Sequence, residues 1–256
     1  MGKKLTIVKV GGAVVEDKDR LNRLLDAFCT IPGPKIMVTG GGRTASSVAA
    51  ELGLESHMHN GRRITDEPML RVVTMVYAGL VSKNIVARMQ ARGENAIGLC
   101  GADLDIVRCE KRAVGETDYG FVGDVSSVNV GELRMLIDNG AVPVICPITH
   151  DGKGQLLNTN ADTIASALSS ALAKEYDVTL IFCFEKKGVL YDAEKEDSVI
   201  PEMRREDYER LKEEGIVDGG MIPKLDNAFS AVESGVDMVI ITNEADLGKD
   251  SGTRII

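Results

Sequence analysis

The segment that decides the fold class is a β-type run that ends in two glycines, Leu5-Thr6-Ile7-Val8-Lys9-Val10-Gly11-Gly12. Apolar and β-branched residues fill most of the run, which is typical of a strand in a buried parallel sheet. Glycine after the strand allows backbone N–H groups to approach an anion, and Lys9 adds a mobile positive charge. The segment therefore predicts an α/β fold with an anion site at the end of its first strand.

A second glycine loop follows the next predicted strand. Lys35–Thr39 has strand character, Gly40–Gly42 forms the loop, and Ala45–Leu52 has helical character. A loop that leads into a helix attracts anions through the free N–H groups and the dipole of that helix. The first pair, Gly11 and Gly12, fits a tight turn as well as a phosphate loop. Three consecutive glycines carry an entropy cost that an ordinary turn does not require, so the second loop is the stronger signal.

Strand-like and helix-like segments alternate through the rest of the chain. Apolar residues at helical spacing predict helices at Lys18–Thr30, Asp66–Met89, Val130–Asn139, Asn160–Lys174, Glu206–Glu214 and Lys224–Ser234. Apolar runs predict strands at Ala96–Leu99, Ile106–Glu110, Val142–Ile148, Val178–Cys183 and Val236–Thr242. The alternation indicates an α/β protein, an open three-layer αβα sandwich around a mostly parallel central sheet.

The predicted sheet also suggests where ligands bind. Ligands of such sheets collect at the carboxyl ends of the strands, and both glycine loops and Lys9 lie there. We expect an N-terminal lobe over residues 1–175 and a C-terminal lobe over residues 176–256.

Composition narrows the functional classes. The 256 residues are 44% hydrophobic and carry a net charge of −9, which indicates a soluble globular protein without the basic face of a nucleic-acid binder. The amino-terminal residues contain no secretory signal and no apolar stretch has transmembrane length, so we expect a cytoplasmic protein without a membrane partner. The cysteines at 29, 100, 109, 146 and 183 have no zinc-type spacing, and we expect no metal site built from protein side chains.

Polar residues cluster in the second half of the chain. Asn158, Asn160 and Asp162 lie at a predicted helix start, where Asn160 fits a helix cap as well as a functional role. An aspartate at this position can hold lysine side chains in place and limit their rotamer freedom. Lys224 follows a further glycine pair at positions 219 and 220. Two glycine loops, two lysines and one aspartate suit phosphoryl transfer in a chain without a Walker motif.

The pair Arg62 and Arg63 follows a turn-type dipeptide, Asn60-Gly61. Arginine recognises carboxylates through two parallel hydrogen bonds. The pair therefore fits a carboxylate clamp, although exposed arginines are more often solvated surface residues.

A dinucleotide site is the weaker interpretation of the second glycine loop. The run Gly40-x-Gly42-x-x-Ala45 matches a loose dinucleotide fingerprint. The match lies on the second βα turn, and the acidic residue expected at the end of the following strand is missing. A dinucleotide-dependent oxidoreductase is therefore disfavoured.

At these residues the sequence resembles the N-acetylglutamate kinases of the amino-acid kinase superfamily. The resemblance covers the whole chain and depends on the order and spacing of its motifs. These motifs are Lys9–Gly12, Val38–Gly42, Asn60–Thr65, Val122–Val125, Gly154–Asp162, Gly220–Lys224 and Gly252–Ile255.

The resemblance implies ATP-dependent phosphorylation of the γ-carboxylate of N-acetyl-L-glutamate, in arginine biosynthesis. Lys9 and Lys224 would stabilise the transferring phosphoryl group, and Asp162 would orient both. The N-terminal lobe would bind phosphate through Gly11 and Gly12 and the acyl-glutamate through Gly41, Gly42, Arg63, Asn158 and Asn160. The C-terminal lobe would bind ATP through Glu185, Lys186, Lys187, Gly188, Val189, Leu190, Ile216, Val217 and Asp218. Mg²⁺ would be held mainly by the ATP phosphates.

The chain departs from the family pattern at a few positions. Phe184-Glu185 stands where Ser/Thr-Asp is usual, which puts nucleotide contacts there in doubt, and Thr39 replaces a frequent histidine. Arg62 stands where an apolar residue is usual and fits a second carboxylate on the acyl group.

The interpretation as an N-succinyl-L-glutamate kinase of a succinylated arginine pathway therefore stays open. So do another kinase of the superfamily, acting on carbamate, glutamate, aspartate or a nucleoside monophosphate, and a non-catalytic relative.

We expect a homodimer that is insensitive to arginine. Arginine-inhibited relatives carry a helix ahead of the first strand, which interlaces dimers into a hexamer, whereas here the first strand begins within a few residues of Met1. The predicted Asp66–Met89 helix carries more apolar surface than packing against one sheet requires.

Overall fold

The computed structural model describes residues 2–59, 61–249 and 251–256. The predicted turn at Asn60-Gly61 depends on Asn60, which lies outside the described residues. The strands are β1 (Lys3–Val10), β2 (Lys35–Thr39), β3 (Met58–His59), β4 (Arg62–Arg63), β5 (Ala96–Leu99), β6 (Val107–Lys111), β7 (Gly123–Val128), β8 (Val142–Ile145), β9 (Ile148–His150), β10 (Leu156–Asn158), β11 (Tyr176–Phe184), β12 (Glu202–Met203), β13 (Met238–Asn243) and β14 (Thr253–Ile255). The helices are α1 (Gly12–Glu16), α2 (Lys18–Thr30), α3 (Gly42–Glu51), α4 (Glu67–Thr74), α5 (Ser82–Gln90), α6 (Val130–Asp138), α7 (Ala161–Leu172), α8 (Arg205–Glu213) and α9 (Ile222–Glu233).

The predicted mostly parallel sheet is confirmed. Within the described residues, eight strands form the central sheet in the order β12-β14-β13-β11-β1-β2-β8-β5. Among the described residues, neighbouring strands of this sheet run parallel, except β13 and β14, which run antiparallel. Hydrophobic cores lie on both faces of the sheet, as in a three-layer αβα sandwich.

Alternate residues of β1 pack into different cores. Leu5 and Ile7 belong to one core and Val8 to the other. Because side chains alternate across a strand, Lys9 shares the face of Leu5 and Ile7. Helices α7 and α9 cover this face. They carry the other two predicted catalytic side chains, so the strand period alone directs Lys9 toward them.

The prediction of one strand over Val142–Ile148 is wrong. The structure divides this segment between β8, in the central sheet, and β9, in a smaller sheet of order β10-β9-β6-β7. Pro147 lies at the break, and it supplies no N–H to a strand ladder. The break carries the chain out of the central sheet to the smaller one. The edge strand β10 of the smaller sheet ends at Asn158.

The other predicted helices and strands are confirmed with shifted ends, and two shifts affect the site. Helix α3 begins at Gly42 and not at Ala45, so the glycine loop runs directly into the first turn of the helix. Helix α9 begins at Ile222 and not at Lys224, which places Lys224 in its first turn.

The predicted Asp66–Met89 helix is confirmed in extent but not in geometry. The Asp66 carboxylate accepts a hydrogen bond from the N–H of Met69 at 2.8 Å and caps α4. Between α4 and α5 the segment Met75–Val81 is a π-helix. By length and composition alone, the 24 residues of Glu67–Gln90 could cross a membrane, which corrects the expectation that no stretch is long and apolar enough. Half of the most apolar window is buried inside the protein, as in a core helix.

The predicted lobe boundary falls inside the continuous sheet. Strand β11 begins at Tyr176 and pairs in parallel with β1 along the whole of β1. The division into lobes at residues 175 and 176 stays a prediction.

Candidate active site

The three predicted catalytic side chains meet at the carboxyl end of β1. The Nζ of Lys9 lies 2.7 Å from Oδ1 of Asp162, in an ion pair without the alignment of a hydrogen bond. The Nζ of Lys224 donates a hydrogen bond to Oδ2 of Asp162 at 3.2 Å. Lys9 and Asp162 are 7% and 8% exposed, so their charges are largely removed from water. With two ammonium groups and one carboxylate, the cluster is positively charged overall.

Burial and neighbouring charges set the protonation of this cluster. Burial lowers the pKa of the Lys9 ammonium below its ordinary value, although the Asp162 carboxylate opposes that shift. Burial acts to raise the pKa of Asp162, but the two ammonium groups outweigh it and lower that pKa overall. Asp162 is therefore ionised at neutral pH and holds both lysines, and an incoming anion meets a positive, poorly hydrated surface.

Both glycine loops present free N–H donors. In the part of the chain that the structure describes, the N–H groups of Gly12, Gly41 and Gly42 have no acceptor. The loops lie against each other, because a Cβ atom on Gly12 would be 3.7 Å from the backbone N of Gly42. The N–H of Gly11, in contrast, donates to the carbonyl of Cys183 at 2.9 Å. The remaining donors converge in the manner of an anion-binding loop.

Arg63 is a buried cation whose described partners are all uncharged. One Nη donates to Ser56 Oγ at 2.8 Å, and the other donates to Gly42 O at 2.7 Å and to Ser46 Oγ at 2.8 Å. No carboxylate pairs with the guanidinium among residues 2–59, 61–249 and 251–256. Because a buried charge needs a counter-charge, this arrangement favours an anionic ligand.

Asn158 and Asn160 lie beside Arg63. The Nδ2 of Asn158 donates to Thr65 Oγ1 at 3.0 Å, and Asn160 accepts from the N–H of Thr163 at 3.0 Å, which confirms it as the cap of α7. A cavity of about 190 Å³, which we call the Asn158 cavity, opens between these residues. Its polar and loop lining includes Gly40, Gly41, Gly42, Arg62, Arg63, Tyr77, Asn158, Thr159 and Asn160.

A larger cavity of about 590 Å³, the Lys224 cavity, shares the Gly40–Gly42 loop. Its lining includes Gly11, Gly12, Arg43, Arg63, Phe184, Glu185 and Lys224. The Nζ of Lys224 lies 5.9 Å from the centre of the Phe184 ring, within the range of a cation–π contact. Glu185 faces Arg43 at 3.5 Å in an exposed ion pair. The unusual pair Phe184-Glu185 therefore contributes directly to this cavity.

Most of the predicted nucleotide residues line a third cavity of about 200 Å³, which we call the Ile216 cavity. Those residues are Lys186, Gly188, Val189, Leu190, Ile216, Val217 and Asp218. Glu185 lines the Lys224 cavity. The Nζ of Lys187 instead lies 3.3 Å from the carboxylate of Asp197. The structure thus separates these two residues from the rest of the predicted set.

The described residues contain no group of three or more His, Cys, Asp or Glu side chains placed to hold a metal ion. Asp162 is already paired with two lysines. Mg²⁺ commonly keeps several waters and binds through substrate phosphates with few protein ligands, which suits this site.

Sequence reasoning missed the side chains that hold Arg63 in place. Ser46 lies four residues after Gly42 in α3, a spacing that puts both on one helix face and could have been noticed. Ser56 lies in an irregular loop, and Tyr77 lies in the π-helix, where simple periodicity fails. The Tyr77 ring blocks space beside the glycine loop, because a Cβ atom on Gly41 would lie 3.0 Å from it.

This fold and site belong to a known class. The model of the amino acid kinase family matches residues 4–243, and the chain belongs to that family. The acetylglutamate kinase of Phocaeicola vulgatus is 58% identical over 255 residues, which cover 100% of this chain and 99% of that protein. The acetylglutamate kinase of Bacteroides thetaiotaomicron is 56% identical over 255 residues, with the same coverage. The resemblance carried by the motifs is therefore confirmed.

Solved structures share the fold. The protein smu.665 of Streptococcus mutans superposes with a TM-score of 0.80 at 25% identity, over 98% of both chains. The carbamate kinase of Giardia lamblia bound to AMP-PNP superposes with a TM-score of 0.71 at 18% identity, over 100% of this chain and 98% of the other. The same architecture thus accommodates an ATP analogue in that kinase.

Proposed function

We propose that this chain phosphorylates the γ-carboxylate of N-acetyl-L-glutamate with ATP, giving N-acetyl-glutamyl 5-phosphate for arginine biosynthesis. One observation carries the proposal: the Gly40–Gly42 loop borders both the Asn158 cavity and the Lys224 cavity. Arg63 lines both cavities, and Lys224 lines the second. A carboxylate clamp and a phosphoryl-binding cation therefore share one glycine loop.

Substrate binding follows from the chemistry of the Asn158 cavity. The α-carboxylate of the acyl-glutamate supplies the counter-charge that Arg63 lacks, and the amide of Asn158 offers a further hydrogen bond. Since the Arg63 guanidinium also donates to the carbonyl of Gly42, it links the clamp to the loop that meets the phosphoryl group. The γ-carboxylate then points toward the Lys224 cavity.

The reaction needs positioning and charge neutralisation more than proton transfer. A glutamate γ-carboxylate is ionised at neutral pH, so it attacks the γ-phosphorus of ATP without a base. A carboxylate O–P bond forms as the bond from phosphorus to the β-phosphate oxygen breaks, and ADP leaves. Lys9, Lys224 and the free N–H groups of Gly12 and Gly42 stabilise the charge on the equatorial oxygens. Mg²⁺, held mainly by the ATP phosphates, would neutralise part of their charge.

The nucleotide occupies the C-terminal part of the site in this proposal. The Ile216 cavity accepts the nucleoside end, and the polyphosphate runs toward Lys224. Support comes from the chain segments that line it, which follow β11 and precede α9, and from the AMP-PNP complex of a kinase with this fold.

An ATP-consumption assay tests the function. Purified protein with Mg·ATP is compared on N-acetylglutamate, N-succinylglutamate, free glutamate and carbamate. We expect ADP formation with an N-acylated glutamate and little with the other two. Turnover on glutamate or carbamate without turnover on either acyl-glutamate would place the chain elsewhere in the family.

N-succinyl-L-glutamate is the alternative substrate. The names of the relatives do not favour it, but one residue, Arg62, is suited to it. This side chain lines the Asn158 cavity, and within the described residues it has no hydrogen bond or ion pair. Burial and the nearby Arg112 charge lower the pKa of its guanidinium. If Arg62 binds a second carboxylate, Arg62→Leu lowers kcat/KM for N-succinylglutamate and leaves N-acetylglutamate little changed. Equal changes on both substrates would exclude a role for Arg62 in reading the acyl group.

We further propose a cytoplasmic homodimer. The five cysteines are free thiols, which suits a reducing compartment that also supplies ATP. Met75 and Leu80, in the π-helix, are 55% and 50% exposed, and a second copy would cover them. The arginine insensitivity expected from the sequence is part of this proposal and is tested by adding arginine to the kinase assay.

A further inference from the structure

A carboxylate outside the predicted site joins the two glycine loops. Glu16 is the last residue of α1, the helix that begins at Gly12. Its Oε1 accepts hydrogen bonds from the N–H of Thr44 at 2.6 Å and from Thr44 Oγ1 at 3.2 Å. Thr44 lies in the first turn of α3, the helix that begins at Gly42. The contact thus connects the two helices whose first residues have the free N–H groups.

Glu16 performs a task that the N-cap of α3 cannot perform. The first N–H groups of a helix have no partner inside the helix, and a side chain at the N-cap usually accepts from one of them. The N-cap of α3 is Gly41, which has no side chain. Glu16 supplies the acceptor from a different helix. It satisfies the N–H of Thr44 and leaves that of Gly42 free.

Helix α1 needs such a contact to hold its place. It spans five residues, and a helix of that length is not stable on its own. Its N-cap, Gly11, also makes no side-chain cap. The position of the Gly12 N–H relative to Gly42 therefore depends on tertiary contacts between α1 and α3, of which the Glu16–Thr44 pair is a directional one.

We infer that Glu16 is a positioning residue for phosphoryl transfer, an inference that rests on the proposed function. By fixing α1 against α3, it sets the separation of the Gly12 and Gly42 N–H groups so that both reach the same phosphoryl group. Glu16 does not line the Lys224 cavity and faces a separate cavity with Lys18 and Arg88. It acts on the reaction through the two glycine loops.

Three substitutions separate the acceptor from the charge. Glu16→Ala removes both and should lower kcat by about tenfold to a hundredfold, because a displacement of about 1 Å at a reacting centre has effects of that size. Glu16→Gln keeps an acceptor oxygen without the charge and should recover most of kcat. Glu16→Asp keeps the charge but shortens the side chain by one methylene, which moves the acceptor away from Thr44. It should lower kcat. KM for both substrates should change much less than kcat.

Glu51→Ala is the matched control, because it removes an equal charge from the far end of α3. It should retain the parent kcat. Thermal unfolding of each variant accompanies the kinetics, and Glu16→Asp keeps the test decisive if Glu16→Ala does not fold. Parent-like kcat in Glu16→Asp, or equal losses in Glu16→Gln and Glu16→Ala, would overturn the inference. An inactive parent enzyme would instead contradict the proposed function.

Discussion

Asp162 is the residue on which the positions of both lysines depend. It contacts Lys9 at 2.7 Å and Lys224 at 3.2 Å, and no other carboxylate among the described residues pairs with either ammonium. Removing it leaves two like charges that repel each other in a poorly hydrated site. The cluster therefore behaves as a unit in which each member affects the others.

Substitution of any member should lower kcat more than it changes KM. Losing one preorganised charge-stabilising donor costs roughly 10²–10³ in kcat, about 2.7–4 kcal/mol. We expect that loss for Lys9→Ala and for Lys224→Ala, and an equally severe loss for Asp162→Ala, which frees both lysines. Steady-state kinetics with Mg·ATP and N-acetylglutamate provide the measurement. A variant with near-parent kcat would remove that residue from the account.

The lowered pKa of Lys9 predicts an alkaline limit to activity. Above that pKa the ammonium loses its charge, so kcat/KM should fall at a pH below the ordinary lysine value of about 10.4. The pH dependence of folding stability has the opposite sign to that of activity. The unfolded state binds this proton more tightly than the folded state, so the contribution of Lys9 to stability rises with pH in the same window. The side chain in Lys9→Arg stays charged, so this variant, if active, should not show the alkaline fall in kcat/KM. An unchanged fall in the variant would assign the titration to another group.

Residue-level prediction from sequence had a clear limit. The strand period places Lys9 on a known face, and glycine after the strand marks the loop. Neither pattern says which carboxylate Lys9 meets, because Asp162 is distant in the chain. The polar cluster suggested an aspartate that holds lysines, and the family resemblance paired Asp162 with Lys9 and Lys224. Ser56 and Tyr77, which approach Arg63 and Gly41, carried no signal because their positions depend on an irregular loop and a π-helix.

The elements that build the site are strands that end in glycine and helices that begin there. Helix α3 begins in the glycine loop, and α9 begins two residues before Lys224. The first turn of α3 supplies the free N–H of Gly42, and both helices have the positive ends of their dipoles at these first turns, where they reinforce the lysines. The element boundaries therefore matter more for function than the element interiors.

The cap of α4 offers an element-scale test of stability. Asp66→Ala removes the acceptor for the Met69 N–H and should lower the free energy of unfolding by about 1 kcal/mol. Asp66→Ser keeps a capping oxygen and should stay within a few tenths of the parent. Urea denaturation monitored by circular dichroism measures both. Equal losses in the two variants would show that the cap is not the source of the effect.

Sequence patterns predicted elements where packing is uniform and failed where the chain changes sheets. Strands β1, β2 and β11 are apolar on both faces, and their positions were predicted. The Val142–Ile148 run looks equally apolar, but Pro147 interrupts the ladder and the chain passes to a second sheet. β7 was missed because much of it is exposed, which leaves a weak apolar pattern.

At the scale of the whole molecule, one continuous sheet carries both predicted lobes. Its mostly parallel order follows from the alternation of strands and helices, which the sequence makes plain. The strand order does not follow from that alternation, since β1 pairs with β11 from far along the chain. Parallel pairing of this kind depends on long-range contacts that no local pattern encodes.

The proposed homodimer can be tested on its apolar surface. Leu80→Glu places a charge where a second copy would pack and should convert the dimer to monomer in light scattering at micromolar concentration. Val114→Glu changes a more exposed apolar residue in the loop between β6 and β7 and should leave the dimer intact. A parent protein that elutes as a monomer or as a hexamer would contradict the proposal.

Trapping of the reaction product tests the central claim most directly. An acyl phosphate reacts with hydroxylamine to give a hydroxamate, which mass spectrometry identifies. With Mg·ATP and N-acetylglutamate, the account predicts N-acetylglutamyl γ-hydroxamate in proportion to the ADP formed, and formation of both products slower by roughly 10²–10³-fold with Asp162→Ala. ADP formation without the hydroxamate, or a hydroxamate from free glutamate and none from an N-acylated glutamate, would contradict it.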